Sequence, residues 1–211
     1  MRISLLIVLF FAIIEFAVAS DFLPKSFEAS IEQQNISQIK IGKKIKKNII
    51  KSDVYMKYKY PSNVYFDVKE QTLYICNSDK TWLYNAPWDP SEKGELTVGS
   101  SSKHCYVKVF DALRYGLSTN KVYKVTKKDL MATLIFSDNS RDELSIVKVD
   151  LKFKSKITDK TTIGSVKSMD LYYVGKKNPT TFVFKSLNTK KEFNKNDFVF
   201  IPPKNTNIKN I

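Results

Sequence analysis

Val54-Tyr55-Met56-Lys57-Tyr58-Lys59-Tyr60-Pro61 is the stretch on which the fold turns. Val54, Met56, Tyr58 and Tyr60 fall on one side of an extended chain, and Tyr55, Lys57 and Lys59 on the other, because successive side chains of a strand point to opposite faces. Pro61 has no backbone N–H to give to a ladder and ends the strand. The same period of two continues downstream. Val64, Phe66 and Val68 alternate with Tyr65, Asp67 and Lys69, and Leu73 and Ile75 alternate with Tyr74 and Cys76. Asn77-Ser78-Asp79-Lys80 is turn chemistry, and a strand with Trp82 and Tyr84 follows it. The reading is an antiparallel meander.

Working outward from this meander, residues 86–103 contain Pro87, Pro90, Gly94 and Gly99 and read as an irregular crossing with a short strand at Glu95–Val98. A helix is predicted over Val109–Leu117, where Val109, Leu113 and Leu117 share a face and Gly116 lies near the end. Strand signals resume at Ala132–Phe136, Leu144–Phe153, Ser168–Val174, Thr181–Ser186 and Phe198–Ile201, with a turn over Gly175–Pro179. Upstream, Phe27, Ile31 and Gln34 have near-helical spacing and Glu28 and Glu32 sit in the early turns, so Pro24–Gln38 is predicted as a first amphipathic helix. The lysine-rich Lys40–Lys51, anchored by Ile39, Ile41, Ile45 and Ile49, reads as strand or loop. Without long helices between the strands, a doubly wound parallel sheet is excluded. The expected class is mainly β (α+β): an antiparallel sheet with two short helices on one face.

The chain begins with Arg2 and an apolar run, Ile3 to Ile14, followed by the small residues Ala17 and Ala19. This is the layout of a cleavable signal peptide over residues 1–19, and the run is short for a membrane span. The expected localisation is therefore outside the cytoplasm, with residues 20–211 forming one domain. In that oxidising space Cys76 and Cys105 are compatible with a disulfide and equally with two buried thiols. The net charge of +14 comes almost entirely from lysine, with arginine only at positions 2, 114 and 141. Lys148, Asp150, Lys152 and Lys154 interleave with Val147, Val149, Leu151 and Phe153, which is how a solvated sheet face reads. No nucleic-acid partner is expected; attraction to anionic membrane surfaces is a secondary consequence.

Chemistry leaves little trace. His104 is the only histidine, so a histidine-rich metal site has nothing to build on. Glycine-rich phosphate loops, nucleophile elbows and EF-hand spacings are absent from the sequence. The expectation is a binding protein, not an enzyme, with no cofactor and no metal.

Four segments in order carry a resemblance. Phe27-Glu28-Ala29-Ser30 with Gln33, Lys59-Tyr60-Pro61-Ser62-Asn63-Val64-Tyr65-Phe66, Leu73 through Tyr84, and Asn196-Asp197-Phe198-Val199-Phe200-Ile201-Pro202-Pro203 together resemble the LolA-type outer-membrane lipoprotein carriers. Two positions depart from that pattern: Tyr60 stands where the family often has an arginine that holds its covering helices, and Ser78 stands at the usual turn glycine. The resemblance implies an incomplete antiparallel β-barrel, a curved sheet with a lid of short α-helices over an apolar cavity. It implies a periplasmic carrier, a monomer, that takes acylated lipoproteins from an inner-membrane LolCDE-type ABC transporter to the outer membrane or a LolB-type receptor there. A lipid-sensing or regulatory domain on the same scaffold is the alternative. The implied lipid-binding lining is Met56, Tyr58, Tyr60, Val64, Phe66, Leu73, Ile75, Trp82, Tyr84, Val149, Leu151, Phe182 and Phe184, faced from the lid by Leu113 and Leu117.

Overall fold

The computed structural model describes residues 22–41, 44–69, 71–89, 91–101, 105 and 108–211. The expected signal peptide and His104 lie outside these residues.

Phe27, Ala29 and Ile31 are buried, whereas Glu28, Ser30 and Glu32 between them are not. That period of two makes Ser26–Ile41 a strand, β1, and corrects the helix expected over Pro24–Gln38. Phe27 and Ile31, four residues apart, share a face in a helix and in a strand alike; Ala29 decides between them. The following strands are β2 (Lys44–Lys59), β3 (Asn63–Val68), β4 (Thr72–Cys76), β5 (Lys80–Asn85) and β6 (Gly94–Ser100). After helix α1 (Lys108–Leu113) come β7 (Tyr123–Lys128) and β8 (Met131–Phe136), then helix α2 (Asp138–Leu144). The chain finishes with β9 (Ile146–Phe153), β10 (Val166–Tyr173), β11 (Thr180–Asn188) and β12 (Thr206–Asn210). The second expected helix is therefore shorter than predicted. Beyond Leu113 the chain leaves helical geometry, and Gly116 takes a positive φ of 77° that a glycine tolerates.

The twelve strands among the described residues form one open, curved sheet in the order β12-β6-β5-β4-β3-β2-β1-β11-β10-β9-β8-β7. From β1 at its middle, two antiparallel meanders run outward, and only β12 adds in parallel, against β6. Curvature is visible in side chains. Phe66 on β3 and Phe182 on β11 are three strand spacings apart, roughly 14 Å on a flat sheet, yet their ring centroids lie 5.8 Å apart.

The cross-strand registers define an inner face. Ala29 is opposite Met56, Met56 opposite Phe66, Phe182 opposite Met169, Met169 opposite Leu151, and Leu151 opposite Ala132. These residues form the main core together with Val109, Phe110 and Leu113 of α1. On the outer face at the other end of the sheet, a smaller core joins Ile75 to Phe193 and Phe198.

Phe198 is part of another correction. The strand expected at Phe198–Ile201 is instead a 3-10 turn, Lys195–Phe198, followed by irregular chain. The Asn194 side chain accepts from the N–H groups of Asn196 and Asp197, and the Asp197 carboxylate accepts from the Asn194 N–H at 2.9 Å. Such local side-chain to backbone bonds compete with ladder pairing.

Candidate functional site

The inner face is not filled along its whole length. On β1 the inward residues pass from Phe27, Ala29 and Ile31 to Gln33 and Asn35; on β2, from Tyr58, Met56 and Val54 to Ser52 and Ile50. On β11 they pass from Phe184 and Phe182 to Thr180. Where this change occurs, a groove of about 660 Å³ opens. Its floor and walls are Phe66, Val68, Tyr74, Leu83, Leu171, Tyr173 and Phe182, with Val109 and Phe110 of α1 on one side and Gln33, Asn35, Ser52 and Thr180 toward the mouth. This volume lies inside the roughly 300–1,000 Å³ range of small-molecule sites, and the mix of aromatic walls with a few polar groups is typical of them. Lys176 is the one charged residue among the described lining, and its ammonium lies 5.0 Å from the centre of the Tyr173 ring. Burial pushes the Tyr173 hydroxyl above its ordinary value of 10.0, so it stays neutral.

Helix α1 is only six residues long and could not persist alone. What holds it is packing and a polar clamp. Phe110 lies 6.1 Å from Phe27 and 5.9 Å from Tyr58, centroid to centroid. Asp111 accepts from the Tyr58 hydroxyl at 2.6 Å, from the Ser62 hydroxyl at 2.6 Å and from the Ser62 N–H at 3.2 Å. Burial first, then the Asp111 carboxylate, raises the Tyr58 hydroxyl far above its usual value, so it remains a donor. The segment after the helix is held from below, where the Tyr123 hydroxyl donates to the Gly116 carbonyl at 2.7 Å. Arg114 donates to the Leu23 carbonyl at 3.1 Å and stacks over the Tyr60 ring at 4.6 Å. A disulfide joins Cys105, ahead of the helix, to Cys76 on β4, with Cα atoms 5.8 Å apart. This resolves the choice between a bridge and two thiols.

The register distributes the expected lining over several places. Phe66 and Phe182 line the groove. Met56, Tyr58, Val64, Val149, Leu151, Phe184 and Leu113 lie in the filled core beneath it, and Leu117 packs against that core. Tyr60 is 45% exposed and lines a different concavity, behind α1, with Ser62, Asp111 and Arg114. Leu73, Ile75, Trp82 and Tyr84 are on the outer face: Tyr65, not Phe66, is opposite Ile75, and Ile75 is opposite Trp82. There they meet the C-terminal segment, with Tyr84 against Phe200 at 5.2 Å. A single lining face through these residues is thus not what the structure has.

The groove residues absent from the expectation include Val68, Tyr74, Leu83, Leu171 and Tyr173, whose alternation in the sequence is that of any other strand position. A signal for the mouth was nevertheless present, since Gln33-x-Asn35 continues the alternation of Phe27, Ala29 and Ile31 in polar form. The clamp on α1 was not legible, because Asp111 meets Tyr58 and Ser62 only through the fold. Among the described residues, no group of three or more histidine, cysteine, aspartate or glutamate side chains is placed to hold a metal. In comparison with known proteins, the chain matches no family model and no curated protein sequence.

Proposed function

We propose that this protein is a non-enzymatic carrier of acyl chains, and that the groove between the inner sheet face and α1 receives them. The observation that carries this reading is the partly filled inner face: an aromatic trough of about 660 Å³ with one side formed by a short, separately clamped helix. Exposing an acyl chain to water costs about 0.8 kcal/mol per methylene. A shuttle between membranes must therefore cover its cargo, and a trough whose cover can be displaced meets that need. Lys176 at the edge suits an anionic or carbonyl-bearing head, leaving the tail to Phe66, Leu171 and Phe182. On this reading α1 is the lid, the cargo is an acylated lipoprotein, and the path runs through the periplasm from an inner-membrane ABC transporter to the outer membrane.

The test is direct. Purified protein should retain acyl species in native mass spectrometry and bind a fluorescent fatty acid. Phe66→Glu, which puts a carboxylate into an apolar wall, should abolish both while leaving the unfolding transition cooperative. Transfer of a radiolabelled lipoprotein between inner- and outer-membrane vesicles should then depend on the wild-type groove. A protein that binds no acyl probe, or a Phe66→Glu variant that binds it as the wild type does, refutes the proposal. Binding without transfer would favour a lipid-sensing role.

A further inference from the structure

Beyond Asn35 on β1 and Val54 on β2 the sheet narrows to two strands. Pairing with β11 ends at Asn35 opposite Thr180, and pairing with β3 ends at Val54 opposite Val68. β1 and β2 stay paired with each other as far as Ile41 opposite Lys44. A ribbon of roughly 20 Å therefore projects past its neighbours.

Its composition is unusual for a solvated hairpin. From residue 33 to residue 52 the sequence contains six lysines, six isoleucines and no acid. The acids stop at the base, where Glu32 pairs with Lys51 at 3.0 Å and Asp53 with Lys185 at 2.6 Å. Above that base Lys46 and Lys47 are exposed, and so are Ile36, Ile49 and Ile50, at 36%, 55% and 51%. Ile36 is opposite Ile49 on one face, and Ile50 is opposite Asn35 on the other.

We propose that this ribbon docks the protein on an anionic lipid surface. Such a surface meets both halves of the composition. Its headgroups attract the lysines, and the acyl boundary beneath them takes the isoleucines out of water. A nucleic acid would answer the lysines and leave the isoleucines exposed. Ile50, Asn35, Gln33 and Ser52 also line the groove, so a docked ribbon sets the groove mouth at headgroup level. The docking surface does not depend on what the groove binds.

Flotation with vesicles of phosphatidylglycerol and phosphatidylcholine, against phosphatidylcholine alone, tests this. Wild-type protein should bind the anionic vesicles only and lose binding as salt rises. Each lysine contributes roughly five-fold to partitioning, so Lys46→Glu with Lys47→Glu should weaken binding by at least about 25-fold. Lys127→Glu with Lys128→Glu makes the same charge change on exposed residues of β7 and should have a far smaller effect. Ile49→Ser with Ile50→Ser should also weaken binding. Acyl-probe binding should survive the Lys46/Lys47 change, and vesicle binding should survive Phe66→Glu, which separates this proposal from the carrier reading. Equal binding to neutral vesicles, equal losses from the two lysine pairs, or unchanged binding in the isoleucine variant with duplex DNA bound as strongly as vesicles would each overturn it.

Discussion

The clamp on α1 can be taken apart by a double-mutant cycle at Tyr58 and Asp111. Hydrogen bonds to a charged group contribute about 1.5–3 kcal/mol each, and Asp111 accepts three, from Tyr58 and twice from Ser62. Asp111 is only half-buried, so the lower end applies. Removing it also strands the Tyr58 hydroxyl, whose residue is 0% exposed; a buried unsatisfied donor costs about 1–3 kcal/mol. Three bonds at about 1.5 kcal/mol each, with about 1 kcal/mol more for the stranded hydroxyl, put the loss for Asp111→Ala at about 5–6 kcal/mol. Tyr58→Phe removes one donor, leaves Asp111 its two bonds from Ser62, and should cost about 1 kcal/mol. Combined, the changes should be milder than Asp111→Ala alone, because the phenylalanine has no hydroxyl to strand. The coupling should be about 2 kcal/mol, read from urea unfolding midpoints at constant m-value. The folded-state pKa of Tyr58 is raised, so its stabilisation is fully present below the ordinary value of 10.0 and is lost as pH rises beyond it. Costs of the two variants that simply add, to within about 0.5 kcal/mol, would show that Tyr58 and Asp111 do not act as one unit. On the carrier reading, Asp111→Ala should also speed uptake of an acyl probe.

Replacing Cys76 and Cys105 by serine opens a link spanning 29 residues; chain entropy puts the loss at about 3–4 kcal/mol, and thermal unfolding with and without reductant should reproduce it in the wild type. Asp197 is held below its ordinary 3.8 chiefly by the Asn194 N–H and then by Lys57. A depressed carboxylate stabilises above its unfolded pKa and ceases to do so as pH falls through the folded one. Hydrogen exchange of residues 193–200 should thus accelerate below about pH 3.8 in the wild type, whereas Asp197→Asn should exchange faster already at neutral pH and show no such acid step.

What could be read from the sequence was the period, strand by strand. The meander from Val54 to Tyr84 and the strands at Ala132–Phe136, Leu144–Phe153, Ser168–Val174 and Thr181–Ser186 follow from alternation, and β2 to β5 and β8 to β11 occupy those stretches. Tyr123–Lys128 and Thr206–Asn210 escaped because three of six and one of five residues are lysine, which blunts the apolar beat an exposed edge strand can do without. Phase between strands was a different matter. Shifting a register by one residue moves a whole set of side chains to the other face, and the turn between β3 and β4 does exactly that to the expected set. Alternation would expose the mistake only if the outer face were polar. Here Leu73, Ile75, Trp82 and Tyr84 are oily because Phe193, Phe198 and Phe200 return from over a hundred residues away to cover them.

The same logic explains how the groove stays open. A core grows until its inward positions stop being apolar, and here polar residues enter at neighbouring levels on three adjacent strands: Gln33 and Ser52 opposite each other, and Thr180 one inward position further on, opposite Asn35. Below these levels Ala29, Ile31, Val54, Met56 and Phe184 interdigitate and leave no room. Above them, small polar side chains border the rings of Phe66, Tyr173 and Phe182, and one of them is fixed by Thr180 donating to Asn35 at 2.9 Å. Filling this space would require burying Gln33, Asn35 and Ser52 with their donors and acceptors re-satisfied in the interior, at about 1–3 kcal/mol for each group left unpaired. The polar mouth therefore opposes collapse of the trough, while the aromatic floor makes an apolar occupant the favourable way to take its surface out of water.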